Sequence, residues 1–166
     1  MSTLRRYVVV SWLLLLSVYT GGLVFILVVL APTWLMLTAS EFLGWAEALG
    51  ARVGMLMAPT LVLSLIVGVL FLILAWRHTP RWIRALVIAA VLLLITQVML
   101  LLGYFLPADL AFAGHEVAVA DVPDELDTWA SLHVLRTVLA GIAWLSVATV
   151  AIAGNRRPIQ SEHRDG

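Results

Sequence analysis

Long stretches without charged residues constrain the fold of this 166-residue chain more than any other feature. A helix needs about 20 apolar residues to cross the hydrocarbon core of a bilayer. Such stretches predict four spans, at about residues 7–30, 55–76, 83–106 and 129–153, of which the fourth is interrupted by His133 and Arg136. Only 12% of the residues are charged, against roughly 25% in soluble domains. We therefore expect an all-α integral membrane protein, with a single four-helix bundle over residues 1–154 and a polar, disordered tail over 155–166.

Composition excludes several classes of function. Ten basic and ten acidic residues balance, so the chain lacks the basic face that a nucleic-acid partner needs. Cysteine is absent, which excludes disulfides, iron–sulfur clusters and thiol relays. Of the four histidines only His133 falls in a predicted span, and no His–carboxylate motif has metal-ligand spacing. We expect no nucleic-acid partner, no metal and no cofactor.

Basic residues concentrate on one side of the predicted membrane. The N-terminal segment, the turn between spans two and three, and the C-terminal tail contain Arg5, Arg6, Arg77, Arg81, Arg84, Arg156 and Arg157. The other side has Arg52 and an excess of carboxylates. Because arginine-rich segments stay in the cytoplasm, we expect both termini there and the two longer connections outside. Membrane lipid is the expected partner of the bundle.

The two outside connections have different character. We expect Pro32 to end span one, and Thr38 or Ser40 to cap a short interfacial helix over about residues 41–51. The apolar face of this helix is formed by Phe42, Trp45 and Leu49. The second connection, 107–128, is acidic, and both a lid and a plain connector remain open for it.

Small residues recur every four positions from the end of the first connection into span two. They are Ala46, Gly50, Gly54 and Ala58. Such a stripe lets another helix approach closely. The stripe predicts packing within the bundle, or contact through Gly50 and Gly54 with a second copy of the chain or another membrane subunit.

The main candidate site is on span four. Trp129, His133, Arg136 and Trp144 share one face of a helix. Ionisable residues within a bilayer are costly and mark functional sites by default. Arg136 is one such residue, about 10 Å deeper than Trp129 along the helix axis. Two interpretations stay open: a functional His133–Arg136 pair, or an arginine that snorkels to the headgroups beside interfacial anchors.

Span three adds three polar candidates. Gln97 is expected to form interhelical hydrogen bonds or to line a pocket. Tyr104 is expected to anchor the span at the interface or to contact a ligand. Asp109 is the best candidate counter-ion for Arg136, because both lie near the same membrane face.

Several motifs follow one another along the chain. They are Tyr19 with Gly21, Gly22 and Ala31-Pro32; Met55-Leu56-Met57-Ala58-Pro59; Tyr104 to Asp109; and Trp129, His133 and Leu135-Arg136-Thr137. In this order they resemble a bacterial membrane family, the domain of unknown function 1772, also called the anthrone oxygenase family. The chain differs from that pattern where Phe105 and Asp109 flank Pro107, since asparagines are expected there.

The resemblance implies a bacterial cytoplasmic-membrane protein that oxidises a polyketide anthrone with O₂ and without a cofactor. His133 is then the base, Arg136 holds the phenolate-like anion, and Trp129 and Trp144 are flat walls for an aromatic ligand. The residues also allow two other functions. One is a non-catalytic bundle that binds a lipid, a quinone or a hydrophobic small molecule, and the other is an accessory subunit of a membrane complex.

Overall fold

A computed structural model describes residues 3–76 and 79–155. Within these ranges the chain forms four long helices, α1 Thr3–Trp34, α2 Ala39–Ala75, α3 Arg81–Ala113 and α4 Val122–Asn155. All four are long and apolar enough to cross a membrane. This confirms the all-α, four-helix prediction. The predicted tail beyond Asn155 lies outside the described residues, as do Arg77 and His78 of the turn between α2 and α3.

The helices pack as a closed square in which each contacts two neighbours. α1 lies against α2 and α4, and α3 lies against the same two helices. Each helix turns one stripe of side chains inward, spaced three or four residues apart. On α1 this buried stripe is Val9, Trp12, Leu16, Tyr19 and Leu23. Large apolar side chains such as Leu14 and Ile73 cover the outside, 62% and 68% exposed, as expected for surfaces that face lipid.

Two of the helices continue through a proline where the sequence predicts an end. α1 continues past Pro32, and α3 continues past Pro107. Proline lacks an N–H group, and its ring clashes with the carbonyl group four residues earlier. Just before each proline the helix widens into a π-helical segment, Ile26–Leu30 in α1 and Leu101–Phe105 in α3. The wider turns accommodate the proline, so each helix is longer than its predicted span.

The predicted short helix before span two is the first part of α2. Thr38 caps it as expected, since its hydroxyl accepts the Glu41 N–H at 3.4 Å while the Glu41 carboxylate accepts the Thr38 N–H at 2.8 Å. The helix then passes through a third π-helical segment, Ala46–Gly50, without a break. Phe42 is buried against Phe112 at 5.0 Å between ring centroids. Its ring therefore packs inside the protein, because an aromatic partner from α3 is within reach.

The second connection is much shorter than the predicted loop 107–128. Helix α3 continues to Ala113 and α4 begins at Val122, so only residues 114–121 connect them. His115, two residues after the last residue of α3, has a positive φ of 55°. This backbone conformation after a helix is usually adopted by glycine. Its imidazole Nε2 lies 3.1 Å from a carboxylate oxygen of Glu47 on α2. This contact ties the connection to the third π-helical segment.

Candidate functional site

A cavity of about 80 Å³ lies at the end of the bundle that contains the π-helical segments. We call it the Arg136 cavity. Each π-helical segment contributes to its lining, with Ile26 from the segment in α1, Ala46 and Gly50 from the segment in α2 and Leu101 from the segment in α3. π-Helical turns are rare and frequently occur at functional sites. Their convergence makes this cavity the best candidate site in the described part of the chain.

His133 lines the Arg136 cavity, and one of its two ring nitrogens already forms a hydrogen bond. Its Nε2 lies 3.1 Å from the backbone carbonyl oxygen of Leu23 on α1. A carbonyl only accepts, so Nε2 carries the proton and the Nδ1 of the neutral ring is an acceptor. Nδ1 is buried and has no hydrogen-bond partner among the described residues. The ring stacks on Trp129, with centroids 4.8 Å apart and planes at 7°, which fixes its orientation.

Arg136 lines the same cavity, one helical turn beyond His133, and is only 5% exposed. Its Nε donates to the Tyr19 hydroxyl at 3.1 Å, and its guanidinium lies 4.7 Å from the centroid of the Phe105 ring. Nη2 is buried without a hydrogen-bond partner in the described ranges. The hydrogen bond and the ring contact of the side chain are thus to neutral groups, and Asp109 attracts its charge from beyond ion-pair distance.

The predicted ion pair between Arg136 and Asp109 does not form. In the described part of the chain no carboxylate oxygen lies within 4.0 Å of the guanidinium nitrogens. Asp109 Oδ1 instead accepts the indole N–H of Trp129 at 2.9 Å. Asp109 and Arg136 line the same cavity, but the indole N–H of Trp129 is the group that donates to the carboxylate.

Gln97 binds the backbone of Arg136 and does not line the Arg136 cavity. It is fully buried, and its Nε2 donates to the backbone carbonyl oxygen of Arg136 at 2.6 Å. Its Oε1 accepts the Tyr19 hydroxyl at 3.1 Å. These bonds join α1, α3 and α4, which is the interhelical role that the sequence allowed. Tyr19 is the functional residue that sequence reasoning missed, although a hydroxyl at this depth in span one already suggests a polar partner.

The remaining predicted site residues fall into two groups. Trp129 and Asp109 line the Arg136 cavity beside His133 and Arg136. Two others do not: Tyr104 donates to Glu125 at 2.8 Å in a separate groove, and Trp144 Nε1 donates to Ser17 at 2.8 Å. Trp144 shares the helical face of Trp129 but lies about 22 Å further along the axis, too far to form a wall of the same site.

The small-residue stripe also lines the cavity. Ala46, Gly50, Gly54 and Ala58 are all among its lining residues. A Cβ atom placed on Gly50 or Gly54 would meet no atom within 4 Å. Gly50 and Gly54 therefore border open space within the chain, whereas Ala46 is buried.

Replacing Tyr19 by phenylalanine tests the support of Arg136. The change leaves Arg136 Nε and Gln97 Oε1 buried without the partner they share. We expect the free energy of unfolding to fall by about 1–3 kcal/mol, measured by denaturation in detergent. Tyr7→Phe is the matched control, since Tyr7 is 68% exposed. Equal stability of the two variants would contradict the hydrogen-bond network.

Comparison with protein-family models, with curated proteins and with solved structures gives no match. In the described ranges no group of three or more His, Asp or Glu side chains comes together to hold a metal ion. What the site can do therefore follows from two features. One is the buried, unpartnered acceptor and donor on α4, and the other is the aromatic and glycine residues around them.

Proposed function

We propose that the Arg136 cavity binds a flat aromatic molecule through an acidic hydroxyl or enol oxygen. The single observation that carries this proposal is the pair of buried, unpartnered atoms, His133 Nδ1 and Arg136 Nη2. A buried polar group without a partner is costly, and we infer that one ligand hydroxyl group satisfies both. Its O–H donates to Nδ1, and its oxygen accepts from Nη2. Trp34, Trp45 and Trp129 line the cavity with flat apolar surface for the rings.

The proposed orientation places both termini in the cytoplasm and the cavity in the outer leaflet. At the opposite end of the bundle Trp76 and Trp82 are 48% and 52% exposed, as in an interfacial aromatic belt. The Arg84 guanidinium lies 5.3 Å from the Trp76 ring centroid. Arginines at that end and carboxylates near the cavity end support the positive-inside orientation. The start of α2 then lies at the outer interface, in a bacterial cytoplasmic membrane.

The proposed reaction is the cofactor-independent oxidation that the resemblance to the anthrone oxygenase family implies. His133 Nδ1 removes the hydroxyl proton of the enol tautomer of the bound anthrone, and the electron pair stays on the oxygen beside Arg136 Nη2, which makes the opposite ring carbon electron-rich. The electron-rich ring carbon then reacts with O₂. Overall, one CH₂ group and one O₂ give one C=O group and one water, so O₂ is the oxidant and supplies the new carbonyl oxygen.

A second candidate function is binding without turnover. The cavity of about 80 Å³ is well below the roughly 300–1,000 Å³ of sites that enclose a drug-sized ligand. It therefore encloses only the oxygen-bearing end of an aromatic molecule or lipid, and the rest stays outside. Partial enclosure suits a carrier or sensor of a hydrophobic molecule, because only a reaction with an unstable intermediate requires full protection from water.

Oxygen uptake with anthrone as the probe separates the two functions. For an oxygenase we expect wild-type membranes to consume one O₂ per anthrone and to form the anthraquinone. The His133→Ala, Arg136→Met double variant should lose this rate by about tenfold or more, to background, because it lacks both base and cation. A wild type that binds anthrone without uptake above background supports binding alone. Unchanged uptake in the double variant contradicts the catalytic proposal.

A further inference from the structure

We infer that the apolar body of the ligand lies in an opening beside Gly50 and Gly54, and that it reaches the Arg136 cavity sideways from the membrane. This inference rests on the proposed function, since it concerns the same ligand. It adds a subsite, a route and two specificity-determining positions on α2.

The opening is visible in the exposure of the two glycines. Gly54 lines the Arg136 cavity and is also exposed on the protein surface, and Gly50 lines it and is half-buried. They lie four residues apart, so they are stacked on one face of α2. Because a Cβ at either position would meet nothing within 4 Å, no neighbouring group fills the space in front of them. The cavity therefore reaches the surface of the bundle along this face.

An independent observation shows that the opening leads to a ligand site. His133 and Arg136 line the same cavity, and the two side chains are 1% and 5% exposed. Each has a buried nitrogen without a partner among the described residues. The cavity of about 80 Å³ is too small to enclose a whole multi-ring molecule whose oxygen is bound to these atoms. The rest of the molecule must leave the cavity, and the glycine face is the open side.

The surroundings of the opening indicate which chemistry it accepts. Val53 and Met57 on α2, close in sequence to the two glycines, and Leu101 on α3 line the cavity, so an apolar body is favoured. The end of the Met57 side chain lies 2.5 Å from the position that a Cβ atom on Gly22 would occupy. A flexible thioether of this kind moves easily to admit a ring. Arg52 is exposed between the two glycines, which places the opening near the polar boundary of the membrane. Fused-ring phenols and enols, which are apolar with one polar edge, fit that boundary.

The experiment compares a one-ring and a three-ring probe with the same hydroxyl group. Dissociation constants of phenol and 9-phenanthrol are measured by tryptophan fluorescence for the purified full chain at constant detergent. We expect Gly54→Leu to weaken 9-phenanthrol binding at least about tenfold and phenol binding by less than about threefold, because the added side chain blocks only the outer subsite. Gly54→Ala should give a smaller effect in the same direction. Gly44→Leu is the control, since Gly44 is exposed on α2 but does not line the cavity.

The outcomes distinguish this inference from the proposed function. If Gly54→Leu and Gly54→Ala bind 9-phenanthrol like wild type, or weaken both probes equally, the subsite is wrong. The proposed function then survives as long as Arg136→Met weakens both probes. If Arg136→Met binds both probes like wild type, or wild type binds neither, the proposed function is wrong. The subsite is then wrong as well, because it depends on the proposed function. Gly54→Ala keeps the test decisive if the leucine variant does not fold.

Discussion

Replacing Phe105 by alanine is expected to lower the free energy of unfolding by about 3–5 kcal/mol. Phe105 is fully buried where α3 meets α4. Its ring centroid lies 5.4 Å from that of Trp129 and 6.1 Å from that of His133, and the Arg136 guanidinium lies 4.7 Å away. Truncation leaves a void beside the site and also removes the cation–π contact that offsets part of the cost of the buried charge.

Leu102→Ala is the control for Phe105, because Leu102 belongs to the same π-helical segment and is 58% exposed. Chemical denaturation in mixed micelles measures both variants. Leu102→Ala should change the free energy of unfolding by less than about 1 kcal/mol, since its side chain is largely exposed. A loss for Phe105→Ala no greater than that of the control would contradict the central packing role of this ring.

Replacing Arg136 by methionine is expected to weaken 9-phenanthrol binding by about 100-fold, the size of a lost charge-assisted hydrogen bond. The same change should alter the free energy of unfolding by less than about 1 kcal/mol. Removing one member of a buried ion pair costs about 3–5 kcal/mol because it strands the other charge. No carboxylate of a described residue forms an ion pair with Arg136, so we expect a smaller loss than for a broken pair, and methionine refills the volume.

Arg84→Met is the matched control for binding, because Arg84 lies near the first turn of α3, at the opposite end of the bundle. It should bind 9-phenanthrol like wild type. An Arg136→Met variant that loses 3 kcal/mol or more of stability, the range of about 3–5 kcal/mol for a broken buried pair, would make Arg136 a structural residue. Retention of wild-type affinity in that variant would remove it from the site.

The number and type of helices could be predicted because apolar length alone decides them. Four apolar stretches of about 20 residues, with Arg136 in the fourth, are each long enough for one span. The π-helical segments could not be predicted, since the rule that proline ends a helix fails where neighbouring helices support a wider turn. Pro32 and Pro107 are each the second residue after a π-helical segment.

The candidate site was predictable as a helical face but not as a set of contacts. Periodicity on α4 correctly grouped Trp129, His133 and Arg136, which all line one cavity. It also included Trp144, because a shared face carries no information on depth. Small residues at Gly50 and Gly54 indicate a close approach in membranes, yet spacing does not tell whether the facing space is filled. Whether Asp109 binds Arg136 or Trp129 depends on which donor lies nearest to its carboxylate, and only the three-dimensional structure shows this.

The most direct test of the ligand site compares 9-phenanthrol with its methyl ether, 9-methoxyphenanthrene. The ether keeps the three rings and the acceptor oxygen for Arg136, but it has no proton to donate to His133 Nδ1. Wild type should bind the phenol at least about tenfold more tightly, because the ether leaves a buried acceptor unpaired. His133→Phe should bind both probes equally. Equal affinities in wild type would contradict the claim that His133 Nδ1 and Arg136 Nη2 form one hydroxyl-binding site.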